Sequence, residues 1–165
     1  MLARSGRTGY NRGILQWESP MAVVRDLLNR KGTDIVSVQP TASVLEAARL
    51  MNDRSVGGLL VVDESGALLG IFTERDILRR VVAAGLPPES TKVGDVFTRD
   101  VVTCVPETSV DECGAIMSGR RVRHLPVVDQ RGLHGVVTIG DLLAHRVSEQ
   151  ETTIQHLNSY VFDMR

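Results

Sequence analysis

Residues 59–66 read Leu-Leu-Val-Val-Asp-Glu-Ser-Gly, and 66 positions later residues 125–132 read Leu-Pro-Val-Val-Asp-Gln-Arg-Gly. Each copy is an apolar run followed by a polar segment that ends in glycine. This pattern predicts a buried β-strand that enters a hairpin turn. Because the stretch occurs twice, we expect the chain to consist of two similar units, which are too few for a solenoid.

The repetition extends over most of the chain. Residues 33–66 align with residues 99–132 and, after a one-residue gap in the turn, residues 70–78 align with residues 135–143. Each unit reads as a β-branched strand, a Ser-x-x-Glu capping box that starts a helix, a two-stranded hairpin and a second helix. The predicted order is β-α-β-β-α in each unit, an α/β fold of the α+β type, with the first strand of the second unit at 101–105.

Four segments are expected: an N-terminal extension at 1–22, repeat 1 at 24–85, repeat 2 at 91–148 and a C-terminal helix or tail at 149–165. Neither repeat alone covers both faces of a three-stranded sheet, so we expect them to pack in one pseudo-twofold globule. The extension is rich in arginine and poor in acids. This composition favours a disordered tail or a start site at Met21, and an organelle transit peptide is the alternative.

Composition narrows the classes of function. The 19 basic and 20 acidic residues give a net charge of −1, so no overall field favours nucleic acid or a membrane. The longest apolar runs have strand length, far below the roughly 20 residues of a membrane span. The two cysteines form no Cys-x-x-Cys pair and suggest no disulfide framework. This favours a reducing, cytoplasmic setting in which they are small apolar residues.

Two segments with the pattern Gly-h-h-Thr-x-x-Asp, where h is apolar, run from a strand into a helix at 70–76 and 135–141. The N-terminus of a helix attracts phosphate through its free amides and dipole. The hydroxyls of Thr73 and Thr138 can donate to a phosphate oxygen, and Asp76 and Asp141 can accept from a ribose diol. The same pattern is also a variant capping box, in which case it would only start a helix.

With these motifs the chain resembles a tandem pair of CBS domains, also called a Bateman module. The resemblance rests on the two Leu-x-Val-Val-Asp strands, the two Thr-x-x-Asp segments and the Arg-His-Leu-Pro-Val stretch at 123–127, and it covers 24–147. It implies an adenosine-containing ligand in the cleft between the repeats: AMP, ATP, NAD(H) or S-adenosylmethionine. The lead-in at 24–28 and the insertion at 31–32 resemble stand-alone bacterial members.

The resemblance also implies how the sites are assembled. A first site would combine Thr73 and Asp76 with Val101, Arg123 and His124. A second would combine Thr138 and Asp141 with Ile35, Val56 and Gly58. Further candidate ligand residues are Thr33, Val36, Gly57, Arg75, Val102 and Pro126.

The two copies disagree at one edge of the expected clefts. Arg123 and His124 in the second repeat align with Gly57 and Gly58 in the first. An arginine offers a planar fork for phosphate and a histidine adds a pH-dependent donor, whereas glycine offers bare backbone that a ligand can approach closely. We therefore expect two unequal sites.

No nucleophile–base pair and no spacing of metal ligands is visible in the sequence. Enzymes that carry such modules, inosine monophosphate dehydrogenase among them, have a separate catalytic barrel. We expect a non-catalytic regulatory module that acts as a homodimer on a partner protein. The alternative is an interaction scaffold that regulates its partner by dimerisation alone, with vestigial clefts.

Overall fold

The structure is a computed structural model that describes residues 21–32 and 34–162, with side chains as far as Gln155. Nearly all of the N-terminal extension expected at 1–22 therefore lies outside the described residues, as does the candidate Thr33. None of the helices in the described part is both long and apolar enough to cross a membrane.

The first repeat contains the expected β-α-β-β-α order, preceded by a lead-in helix. Its elements are α1 Val24–Lys31, β1 Ser37–Val38, α2 Val44–Arg54, β2 Gly58–Val62, β3 Leu68–Thr73, and α3 Glu74–Asp76, which continues as a π-helix over Ile77–Val82. Strand β2 is central, parallel to β1 and antiparallel to β3. The capping box forms as predicted, since Ser43 and Glu46 exchange hydrogen bonds at the start of α2.

The second repeat follows the same course with one strand missing. Its elements are α4 Val93–Val96, α5 Val110–Arg120, β4 His124–Asp129, β5 Gly132–Thr138 and α6 Ile139–Phe162. Helix α6 has 24 residues without a break, so the terminal segment expected from 149 continues the last helix of the repeat.

The prediction of a strand at 101–105 is wrong, because this segment forms only an isolated parallel bridge, between Cys104 and Val127. In the first repeat the amide of Leu60 donates to Val36 O at 3.2 Å. The residue aligned with Leu60 is Pro126, which has no amide hydrogen to donate. The parallel pairing between segment 101–105 and β4 therefore lacks this hydrogen bond, and only the hydrogen bonds of Cys104 remain.

The two lead-in segments are exchanged between the repeats. Val24 donates its amide to Thr108 O at 2.9 Å, and Val93 donates to Ala42 O at 2.9 Å. Thr108 and Ala42 are aligned residues, so each lead-in is docked in the same way on the opposite repeat. Helix α1 thus packs into the core of the second repeat, and α4 packs into the core of the first.

Both cysteines belong to the core of the second repeat. A hydrogen bond with Cys113, together with burial, raises the pKa of the Cys104 thiol. It stays protonated and packs as a small apolar residue.

Candidate ligand-binding clefts

The first cleft is a cavity of about 260 Å³ between the repeats. Thr73 and Asp76 from the first repeat line it together with Val101, Arg123 and His124 from the second, which is the combination expected from the sequence. The candidates Gly57, Arg75 and Val102 line it as well, and its remaining lining residues are Ile71, Glu74, Thr98, Asp100 and Val122.

The Asp76 carboxylate already has partners in this cleft. One oxygen, Oδ2, accepts from the Thr73 amide at 2.8 Å and the Thr73 hydroxyl at 2.9 Å, and Oδ1 accepts from the Thr98 hydroxyl at 2.9 Å. The residue is 6% exposed, and Arg80 Nε lies 3.7 Å from Oδ1. The Thr-x-x-Asp segment is therefore a capping box in this structure, and a ribose diol would have to share the carboxylate or displace Thr98.

Thr98 is a functional candidate that the sequence analysis missed. It follows α4 and exchanges two backbone hydrogen bonds of 2.9 Å with Ile71. The exchange of lead-in segments brings it beside Asp76, and no motif in the connecting segment indicates this position.

The second cleft has a volume of about 410 Å³. Of the residues expected here, Thr138, Val56 and Gly58 line it, and the further candidate Val36 lines it as well. Its other lining residues are Lys31, Asp34, Ser55, Gly57, Glu74, Arg123, His124, Val136, Ile139 and Gly140.

Asp141 stands beside this cleft and has a different partner from Asp76. Its Oδ2 accepts from the Thr138 amide at 2.8 Å and from Lys31 Nζ at 2.8 Å. Lys31 also donates to Val136 O at 3.1 Å. The carboxylate beside the second cleft thus accepts directly from a lysine, whereas the one in the first cleft accepts from a neutral hydroxyl and has Arg80 Nε farther away, at 3.7 Å.

Two candidates are not in the expected place. Ile35 lines a separate groove of about 930 Å³ between the hairpins of the two repeats, the hairpin groove. Successive residues of an extended chain point to opposite sides, so when Val36 faces the second cleft, Ile35 faces away from it. Pro126 is buried within β4 and lines neither cleft.

The two clefts have four lining residues in common, which we call the shared wall: Gly57, Glu74, Arg123 and His124. A Cβ at Gly58 would lie 3.3 Å from His124 Nε2, and one at Gly57 would lie 3.3 Å from Glu74 Oε2. The glycines of the first repeat therefore leave space for the side chains of Glu74 and His124 in the shared wall. Glu74 was missed, although its aligned residue, Ile139, shows that the copies differ there.

Burial lowers the pKa of His124, and the charges of Lys31 and Arg123 lower it further, against the opposing effect of Glu74. Its imidazole is therefore neutral at neutral pH. Arg123 is consequently the cation of the shared wall.

A family model for the CBS domain matches the chain twice, at residues 24–83 and 93–148, and the chain belongs to this family. Each match begins at the lead-in helix of its repeat. The fold class expected from the sequence is confirmed, since solved structures of CBS-domain proteins superpose on the chain with both repeats.

Relatives and solved structures place the chain among tandem CBS proteins. It is 41% identical over 123 residues to the mitochondrial CBS domain-containing protein CBSX3 of Arabidopsis thaliana, covering 72% of this chain and 60% of that protein. The CBS-domain containing protein ATU1752 of Agrobacterium tumefaciens has 39% identity and a TM-score of 0.72, covering 76% of this chain and 99% of that one. The CBS domain pair of protein MJ0100, solved in complex with 5′-methylthioadenosine and S-adenosyl-L-methionine, has 28% identity and a TM-score of 0.70, covering 79% and 99%.

Proposed function

We propose that the protein is a non-catalytic regulatory module that binds an adenosine-containing nucleotide in the first cleft. The observation that carries the proposal is the convergence of Thr73 and Asp76 with Val101, Arg123 and His124 around one cavity between the repeats. Polar groups and apolar side chains that converge in this way are typical of small-ligand sites.

The chemistry of the lining suits the parts of a nucleotide. Val101, Val102 and Ile71 offer apolar surface to a base, and the Asp76 carboxylate can accept from ribose hydroxyls in place of Thr98. Arg75 and Arg123 are exposed residues of the same lining, and we expect their guanidinium groups to bind a phosphate.

The ligands of protein MJ0100 contain adenosine, which supports the same class here. Those two ligands carry no phosphate, however, and this cleft presents two arginines. Because a guanidinium group binds phosphate through paired hydrogen bonds, we propose AMP, ATP or NAD(H) ahead of S-adenosylmethionine, even though the same lining carries the carboxylates of Glu74, Asp76 and Asp100.

Ligand binding would be transmitted through the contact between the repeats. The cleft takes residues from both, and Arg75 Nη1 donates to Arg121 O at 3.1 Å across the same junction. A nucleotide that engages both sides would favour one relative arrangement of the repeats, which a partner protein can then recognise.

We also propose that the module pairs with a second copy through its outer helices. Leu78 and Val82 are 62% and 63% exposed, and the aligned Leu143 and Val147 are 58% and 54% exposed. Each pair is spaced by four residues, so the two repeats present matching apolar stripes. Light scattering should give a dimer for the parent and a monomer for Leu78→Glu combined with Leu143→Glu. A dimeric double variant would contradict this interface.

Isothermal titration calorimetry with AMP, ATP, NADH and S-adenosylmethionine tests the ligand. Binding of at least one phosphorylated nucleotide, more tightly than S-adenosylmethionine, is the expected result. Silence from all four would contradict the proposed function.

A second candidate is the ligand-free dimeric scaffold. The observation that favours it is the Asp76 carboxylate, which already accepts three hydrogen bonds. Thermal denaturation separates the candidates, because a ligand at 100 times its dissociation constant stabilises a protein by about 2.7 kcal/mol. An unchanged melting temperature with every nucleotide is the outcome that the scaffold predicts.

A further inference from the structure

The two clefts are not independent of each other, because the shared wall lines both. We propose that this wall makes them antagonistic: a phosphate-bearing ligand in one cleft recruits Arg123 and so weakens binding in the other. The inference rests on the proposed function and names how that site is regulated.

The geometry explains why there is one Arg-His pair for two clefts. Gly58 and His124 are aligned residues of the two repeats, and a Cβ on the glycine would lie 3.3 Å from His124 Nε2. Equivalent residues that touch each other must lie next to the pseudo-twofold axis that relates the repeats. The same Cβ would lie 3.1 Å from Thr73 Cγ2, so any side chain at Gly58 would press on both Thr73 and His124. The glycines of the first repeat thus leave the space beside the axis to the Arg-His pair of the second repeat, which lines both clefts.

The charges near the wall set the sign of the coupling. Each cleft also has a cation of its own that already has protein partners. In the first cleft Arg75 Nη1 donates to Arg121 O at 3.1 Å. In the second, Lys31 Nζ is held by Asp141 at 2.8 Å and by Val136 O at 3.1 Å. Glu74, which lines both clefts, repels an anion in either. The first phosphate to arrive can draw on Arg123, and the second then meets Glu74 and a like charge across the wall.

Coupling free energies between sites commonly correspond to factors of about 5–150 in affinity. We expect the second AMP to bind the parent at least fivefold more weakly than AMP binds the same cleft when the other is disabled. One nucleotide per module would then be the prevailing state over a wide range of concentrations.

Calorimetry with AMP as the probe tests this on the full chain. The parent is compared with Asp76→Ala, which removes the carboxylate of the first cleft, and with Asp141→Ala combined with Lys31→Ala, which removes the carboxylate beside the second cleft together with the cation that it holds. The parent should show two dissociation constants for AMP. If the clefts are antagonistic, the larger one exceeds the dissociation constant of the same cleft in the single-cleft variant by fivefold or more. If these two dissociation constants agree within twofold, the coupling is overturned and the proposed function stands. The same holds if one cleft binds AMP in no variant. Absence of binding in the parent would overturn the proposed function as well.

Arg123→Ala is the second test, and it remains usable if Asp76→Ala does not fold. The side chain of Arg123 is exposed, so its removal should leave the protein folded. We expect weaker binding in both clefts and a coupling factor below about twofold. Arg131→Ala is the matched control: it removes the same charge from the same repeat and lines neither cleft. A coupling factor that survives Arg123→Ala, or that falls equally in Arg131→Ala, would overturn the role of the wall.

Discussion

The two clefts are built from aligned positions, yet their aspartates have different partners. Asp76 accepts from the hydroxyl of Thr98, and Asp141 accepts from the ammonium group of Lys31. Both partners come from the lead-in segments, which are exchanged between the repeats. The repeated Thr-x-x-Asp segment therefore does not make two equal sites, because the residues that complete them, Thr98 and Lys31, differ in chemistry.

The largest expected difference between the clefts concerns nucleotide affinity. Asp76→Ala removes a carboxylate that can accept from the ribose. Hydrogen bonds to charged groups contribute about 1.5–3 kcal/mol, so we expect roughly 10- to 150-fold weaker AMP binding at the tighter site. Asp141→Ala should leave that affinity unchanged within about twofold. Calorimetry on both variants, each shown by its melting curve to be folded, makes the comparison, and equal losses would mean that the clefts are equivalent.

A smaller effect on stability is expected from filling the space beside the shared wall. Gly58→Val places side-chain atoms against Thr73 and His124, and overpacking of this kind costs about 1–3 kcal/mol. At about 2–4 °C per kcal/mol, the melting temperature should fall by several degrees. Gly119→Ala, on α5 with no atom within 4 Å of the added Cβ, is the control that should not destabilise. An unchanged melting temperature for Gly58→Val would mean that His124 does not pack there.

The smallest effect concerns pH. Since burial lowers the pKa of His124 in the folded protein, the unfolded chain takes up this proton first as the pH falls below about 6.5. The stability that comes from neutral His124 is therefore complete above that pH and is lost as the pH falls towards the lowered folded pKa. Melting temperatures between pH 7.5 and 5.5 should fall less in His124→Gln than in the parent. Parallel curves would show that His124 is not held in its neutral form.

Much of the fold could be predicted because the repeat states each element twice. The capping boxes and hairpins are local patterns, and α2, α5, β2 and β4 lie where those patterns place them. The absence of a strand at 101–105 could also have been predicted from the sequence, since Pro126 aligns with Leu60 and cannot donate the corresponding hydrogen bond. The exchange of lead-in segments could not be predicted. The apolar character of Val24 and Val93 indicates that they are buried, but it does not indicate in which repeat.

The candidate site was predicted where it depends on motifs and missed where it depends on packing. Thr73, Asp76, Val101, Arg123 and His124 do line one cavity, and their role as ligand residues stays a prediction. Thr98 and Glu74 carry no motif, so only the fold reveals them. The position of Ile35 depended on which side of a short extended segment faces the cleft, which the pattern of apolar residues does not determine.

A crystal structure of the protein grown with AMP tests the central claim most directly. We predict nucleotide density in the first cleft, with ribose hydroxyls at hydrogen-bond distance, about 2.5–3.0 Å, from the Asp76 carboxylate. The base should lie against Val101, and the phosphate should lie beside Arg123. AMP found only in the hairpin groove, or a first cleft that stays empty at saturating AMP, would contradict the account.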